Sequence, residues 1–395
     1  MKSVARWSVV VLFLVVTAGT GIVDSLTPLP MPRLVGREKA SEERLRREAR
    51  IADGSKARLV ERSQRMRSRV RQAAACEYGF VLYRWLHEVR PTVVRGKDGW
   101  LFLKSRACPR RIIHDAALSR LASQIAVISK RLADQGSRLV MVPVPRKAVL
   151  CADRLPSWCN SQAAVDSAFV AHLTGNGVIC VDLLHALRAS SASPYYYKLG
   201  SHWNHKSRIV AAEEMCRVAG ILAPETDRLT RILPLGQRPE DFDVLKYAGI
   251  EPNRRIKRRL AGTTSLCYRV SSPRGKAARS DVDLPILLFG SSFSNTPLPD
   301  LIHHYSTIPV ERHARPGVKA LDFLAKYLRE AGGRLAAGDR PRTIFVELPV
   351  HSVFDGLDSS ISSLLSLLPP SRPILASSEG RSGMRHDLKK DPVVD

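Results

Sequence analysis

The sequence contains no Cys-x-x-Cys pair, so the spacing on which zinc ribbons and thioredoxin-like redox centres are built is missing. No internal repeat stands out. His202 and His205 have no third ligand pattern beside them, so neither a metal nor a cofactor is expected. Acidic residues are scarce relative to basic ones: 37 Asp and Glu stand against 62 Lys and Arg, a formal charge of +25. Such an excess predicts a negatively charged partner: nucleic acid, an anionic lipid surface or an acidic polymer.

The one long uncharged run, Trp7 to Val23, follows Lys2 and Arg6, the pattern of an export signal. No clean Ala-x-Ala site follows it. That favours an uncleaved inner-membrane anchor over a cleaved, soluble form, with everything after Val23 outside the cytoplasm. A periplasmic location excludes nucleic acid and leaves an extracytoplasmic polyanion as the partner. Seven cysteines are an odd number. The spacing favours a Cys151–Cys159 bridge around a short loop, worth about 2.6 kcal/mol of chain entropy. Cys180 reads as a buried small hydrophobe.

After the anchor (1–23) comes a proline-rich linker. Residues 37–72 then read as an arginine-rich helical stalk with a net charge of +7, the stalk region running to residue 89. From residue 90 the pattern changes. Two β-prone runs flank Gly96-Lys-Asp-Gly99, a hairpin signal in which glycines supply positive φ. Apolar strands at 138–145, 178–182, 284–290 and 342–349 alternate with helical stretches at 118–135, 162–175, 183–189 and 320–331. That alternation predicts a parallel sheet flanked by helices. Residues 228–283 read as a basic insertion over its rim, with Arg254, Arg255, Arg258 and Arg259 as candidate substrate-binding groups. From 357 to 395 Ser, Pro, Gly and Lys dominate, and the tail is expected to be disordered.

Two stretches carry chemistry. Ile286-Leu-Leu-Phe289 is a buried strand that ends at Gly290 and delivers Ser292 to the carboxyl edge of the sheet, where open α/β folds place their crevice. Glycine before the serines allows a sharp turn and a close approach of substrate. Tyr195-Tyr-Tyr-Lys-Leu-Gly-Ser-His-Trp203 is an aromatic-rich loop ahead of a helix, and His202 in it can take a proton from a serine hydroxyl.

Six pieces in order resemble the alginate O-acetyltransferase family (AlgJ/AlgX-like, a branch of the SGNH hydrolase superfamily). They are residues 96–103, Val142-Pro-Val-Pro-Arg-Lys147, Lys198-Leu-Gly-Ser-His-Trp203, Pro239-Glu-Asp-Phe242, Gly290-Ser-Ser-Phe-Ser294 and Phe345-Val-Glu-Leu-Pro349. The resemblance implies an SGNH-hydrolase-like catalytic domain over 90–356 that acetylates hydroxyls of an anionic exopolysaccharide. A membrane-bound O-acyltransferase would supply the acetyl group. It places the nucleophile on Ser292 and the base on His202, with Trp203 beside it at the substrate.

The family's aspartate falls on Gly200, which has no carboxylate. Either a backbone carbonyl or another carboxylate such as Asp182 or Asp241 orients His202, or a slower Ser–His dyad operates, or catalysis is lost. In the last case a polysaccharide-binding or scaffolding component remains. An O-acetylesterase using water as acceptor would share the same motifs.

Overall fold

The computed structural model describes residues 77–228, 230–239, 242–248, 250, 264–271, 284–295, 297–330 and 342–368. The expected anchor, linker and most of the stalk, the four arginines at 254–259 and Asp241 lie outside the described residues. Among the described residues no helix is long and apolar enough to cross a membrane.

The strands are β1 (Val93–Arg95), β2 (Leu101–Leu103), β3 (Ser137–Val144), β4 (Ile179–Cys180), β5 (Ile232–Pro239), β6 (Thr264–Val270), β7 (Ile286–Gly290), β8 (Val310–Ala314) and β9 (Arg342–Pro349). The longer helices are α1 (Asp115–Ala133), α2 (Ala164–Gly175), α3 (Leu183–Ala189), α4 (His205–Val218), α5 (Asp243–Tyr247), α6 (Leu298–Ser306), α7 (Ala320–Glu330) and α8 (Asp358–Leu367). Five strands pair in parallel in the order β4-β3-β9-β7-β8. Parallel neighbours need crossovers, and helices supply them on both faces.

The apolar runs split by parity, as side chains on a strand must. Val140, Val142, Val144, Ile286, Leu288 and Phe345 point to one face and pack with α3, α4 and α6. Leu139, Met141, Leu287, Phe289, Ile344, Val346 and Leu348 point to the other, against α1, α2, α7 and α8. Both faces are covered, which is why these strands read as continuous apolar runs rather than alternating ones. Burying one such Leu or Phe side chain contributes about 1.5–3 kcal/mol.

Helix α8 corrects the expected disordered tail. Ile361 and Leu364, flanked by Leu357 and Leu368, close the second core, so the domain continues past residue 356 to at least 368. Within the insertion β5 and β6 form an antiparallel ribbon. A third, smaller core joins Phe80, Tyr83, Val93, Leu101 and Leu199 to Phe242, Val244 and Leu245 around α5.

The hairpin β1–β2 forms as expected, with Asp98 (φ 53°) and Gly99 (φ 74°) in the left-handed region at its turn. The disulfide is not the one expected. Cys159 pairs with Cys108, 51 residues away, while Cys151 is buried in the first core and burial pushes its thiol up to about 12. The fold brings the Cα atoms of Cys108 and Cys159 to 5.4 Å, within bridging distance. Cys180 lies half-buried on the edge strand β4. Replacing both Cys108 and Cys159 by Ser is expected to destabilise the domain by about 4 kcal/mol, read as a fall in the urea midpoint.

Candidate functional site

At the carboxyl end of β7 the chain turns at Ser291 into a single 3-10 turn, Ser292–Ser294. Beneath this turn lies Glu347 of β9, fully buried. It accepts the Ser291 N–H at 2.8 Å, the Ser294 hydroxyl at 2.8 Å and the Ser291 hydroxyl at 3.1 Å. Burial raises the Glu347 pKa, and these hydrogen bonds together with His202 oppose that rise.

Gly290 is required by this packing and not by its dihedrals. A Cβ there would overlap Ser294 Oγ and come to 2.8 Å from Glu347 Oε2. The close approach that the sequence assigned to substrate is therefore made by the protein itself. Gly290→Ala is expected to displace the serine turn and lower turnover by about 100-fold, the penalty of misplacing a reacting group by about 1 Å. The circular dichroism spectrum should remain that of a folded domain.

His202 comes from a loop held at both ends. Tyr196 and Trp203 form a bridge, the Tyr197 N–H bonds to the His202 carbonyl at 3.1 Å, and the Asn204 N–H bonds to the Tyr195 carbonyl at 3.0 Å. Lys147 fastens the loop from below. Its buried ammonium donates to the carbonyls of Leu101, Tyr197, Lys198 and Gly200 at 2.7–2.9 Å and lies 5.0 Å from the Trp100 and Phe102 ring centroids. The hairpin, the Val142–Lys147 segment and the histidine loop, recognised separately as motifs, thus meet at one cation. Trp203 is fully buried and donates its indole N–H to the Phe293 carbonyl at 3.2 Å. It ties the histidine loop to the serine turn and does not face substrate, contrary to the expectation.

The two predicted residues meet. His202 Nε2 lies 2.8 Å from Ser292 Oγ, and the imidazole packs on Phe293 with centroids 5.0 Å apart. On the other side of the ring, Nδ1 faces Asp243 Oδ2 and Ser201 Oγ, each at 3.5 Å. Asp243 is fixed in turn: its carboxylate accepts the Ser201 N–H at 2.6 Å and the Ser201 hydroxyl. It opens α5, whose Val244 and Leu245 anchor it in the third core.

Asp243 was missed from the sequence. The available signal was an acidic residue between apolar Phe242 and Val244, one position beyond the Pro239–Phe242 piece. Asp182 does not orient His202; it caps α3 and accepts the His185 N–H at 2.9 Å. Ser292, His202 and Asp243 together have the donor, base and carboxylate sequence of a serine acyl-transfer triad.

Ser292 opens onto a cleft of about 190 Å³ whose walls include Arg106, Phe293, Lys319, His351, Ser352 and Asp355. Among the described residues no group of three or more His, Cys, Asp or Glu side chains is placed to hold a metal ion.

The family model for the SGNH hydrolase-like domain of the acetyltransferase AlgX matches residues 93–349. The probable alginate O-acetylase AlgJ of Pseudomonas fluorescens is 24% identical over 227 residues, covering 54% of this chain and 56% of that protein. This chain therefore matches little more than half the length of that relative. Its counterpart from Pseudomonas putida KT2440 is 25% identical over 290 residues, 68% of this chain and 71% of that one. The solved O-acetyltransferase domain of Pseudomonas putida AlgJ superposes with a TM-score of 0.53 at 19% identity, covering 69% of this chain and 99% of that domain. The last likeness shows the fold: a parallel sheet flanked by helices. With the model spanning most of the described domain, the chain belongs to the AlgX-type SGNH hydrolase-like family.

Proposed function

We propose that this protein is an O-acetyltransferase that moves acetyl groups onto hydroxyls of an anionic exopolysaccharide through an acetyl-Ser292 intermediate. The observation that carries the reading is the 2.8 Å contact between His202 Nε2 and Ser292 Oγ. In the first half-reaction His202 takes the Ser292 proton as Oγ bonds to the acetyl carbonyl carbon. The donor oxygen then leaves with that proton. In the second half-reaction a sugar hydroxyl gives its proton to His202 and attacks the acetyl carbon. Ser292 Oγ departs and recovers its proton. Among the described residues the Ser292 N–H has no hydrogen-bond acceptor, which leaves it to help hold the oxyanion.

Gly200 favoured a reading in which catalysis is lost and binding remains. Asp243 weakens that reading, because a carboxylate from another element faces the same side of His202. The polymer follows the relatives, whose names specify alginate. A membrane-bound O-acyltransferase as donor, and an inner-membrane anchor at residues 1–23 holding the domain in the periplasm, complete the proposal. The anchor reading rests on Lys2, Arg6 and the uncharged run after them. Transferase and esterase are separated by supplying an activated acetyl ester with and without an oligosaccharide acceptor. A transferase yields acetylated sugar in preference to free acetate, and release of acetate alone in the presence of acceptor contradicts the proposal.

A further inference from the structure

Arg106 and His351 stand beside the catalytic pair, and the steps above use neither. Arg106 sits on a one-turn helix, Lys104–Ala107, directly after β2, and His351 follows β9. Both line the 190 Å³ cleft together with Ser292. Both also line a narrow cavity of about 30 Å³ that reaches Ser201, Tyr196 and Phe293. Among the described residues neither the Arg106 guanidinium nor the His351 imidazole makes a hydrogen bond to protein.

A guanidinium carries five donors in a planar fork, and among the described residues protein takes none of those of Arg106. Burial lowers the Arg106 pKa, although Asp243, Tyr247, Tyr196 and Asp355 pull it back. Asp243 is already engaged by the Ser201 N–H and hydroxyl. Asp355 is exposed at the rim of the cleft. Burial, with Arg106, Arg146 and His202 nearby, lowers the His351 pKa well below its usual value, so this imidazole is neutral at neutral pH and offers one N–H. Lys319, also at the cleft, donates to the Gly356 carbonyl.

One unmatched planar cation with a neutral donor beside it suits a single, planar negative charge. A carboxylate fits the guanidinium fork with two parallel hydrogen bonds. A dianionic group would add repulsion from Asp243 and Asp355. We infer that Arg106 is the carboxylate-recognition residue of the acceptor subsite, pairing with a uronate-class sugar while a hydroxyl of the bound chain faces Ser292. The inference rests on the acyl-transfer reading for the use of the cleft but can be tested without turnover.

The test is calorimetric titration of the Ser292→Ala protein, at physiological salt, with a short oligouronate and with its carboxyl-reduced neutral counterpart. The oligouronate is expected to bind about 10- to 100-fold more tightly, the range of a charged hydrogen-bonded contact. Arg106→Gln in the same background should abolish that difference, and Arg106→Lys should keep part of it.

Equal affinity of the two probes overturns the inference, and this comparison needs no change at Arg106. So does an Arg106→Gln effect that weakens both probes alike. Absence of any Ser292 acetylation in the unaltered protein would count against the proposed function instead, and the two probes on Ser292→Ala still decide the carboxylate question.

Discussion

Ser292→Ala is expected to lower acetyl transfer by about 10⁶-fold, the loss a serine hydrolase shows when its nucleophile is removed. The domain itself should be unharmed. Ser292 Oγ is bonded to His202 alone among the described side chains, so an alanine there removes one hydroxyl without opening the core. His202→Ala should cost a similar factor, and the double variant little more, because residues that act as one unit are not additive. Transfer of labelled acetyl to acceptor, measured beside thermal melting, separates lost chemistry from lost fold. A Ser292→Ala protein that retained more than a few per cent of transfer would remove the covalent intermediate.

Asp243 carries the second large effect. Removing the acid of a serine triad costs about 10⁴-fold in the best-studied case. Here the carboxylate stands 3.5 Å from Nδ1 and Ser201 Oγ shares that face, so Asp243→Asn is expected to lower turnover by roughly 10²- to 10⁴-fold. Ser201→Ala should cost less, since the Ser201 N–H would still hold Asp243 at 2.6 Å. The diagnostic comparison uses Gly200. In the unaltered background Gly200→Asp should give no gain, because the role is filled. Combined with Asp243→Asn it should restore part of the lost rate, and parallel losses with no recovery would show that Asp243 matters only for packing α5.

Four of the five sheet strands and helices α1 to α4 and α7 were legible because each depends on local pattern, whereas β8 and α6 were not read. The pairing of His202 with Ser292, 90 residues apart, came from the family resemblance. A strand covered on both faces shows an unbroken apolar run, and the residue after it falls at the sheet edge. What escaped depended on pairings far apart in the chain. Asp243 reaches the site only because Phe242, Val244 and Leu245 dock on Leu101 and Leu199. Cys108 and Cys159 are brought together by the fold across 51 residues. In α8, serines between Ile361 and Leu364 obscured an apolar face that needs the second core to be recognised. The resemblance placed Trp203 at the substrate beside His202, but a fully buried indole bonded to the Phe293 carbonyl serves the site as a strut.

The central claim is that the acetyl group passes through Ser292. Incubating the protein with an activated acetyl ester, quenching in acid and mapping the peptide that spans Ile286 to Asn295 by mass spectrometry tests it directly. An acetyl increment on Ser292, lost when acceptor oligosaccharide is added before the quench and absent in His202→Ala, is the predicted result. An unmodified Ser292 in a sample that is transferring acetyl groups would contradict it.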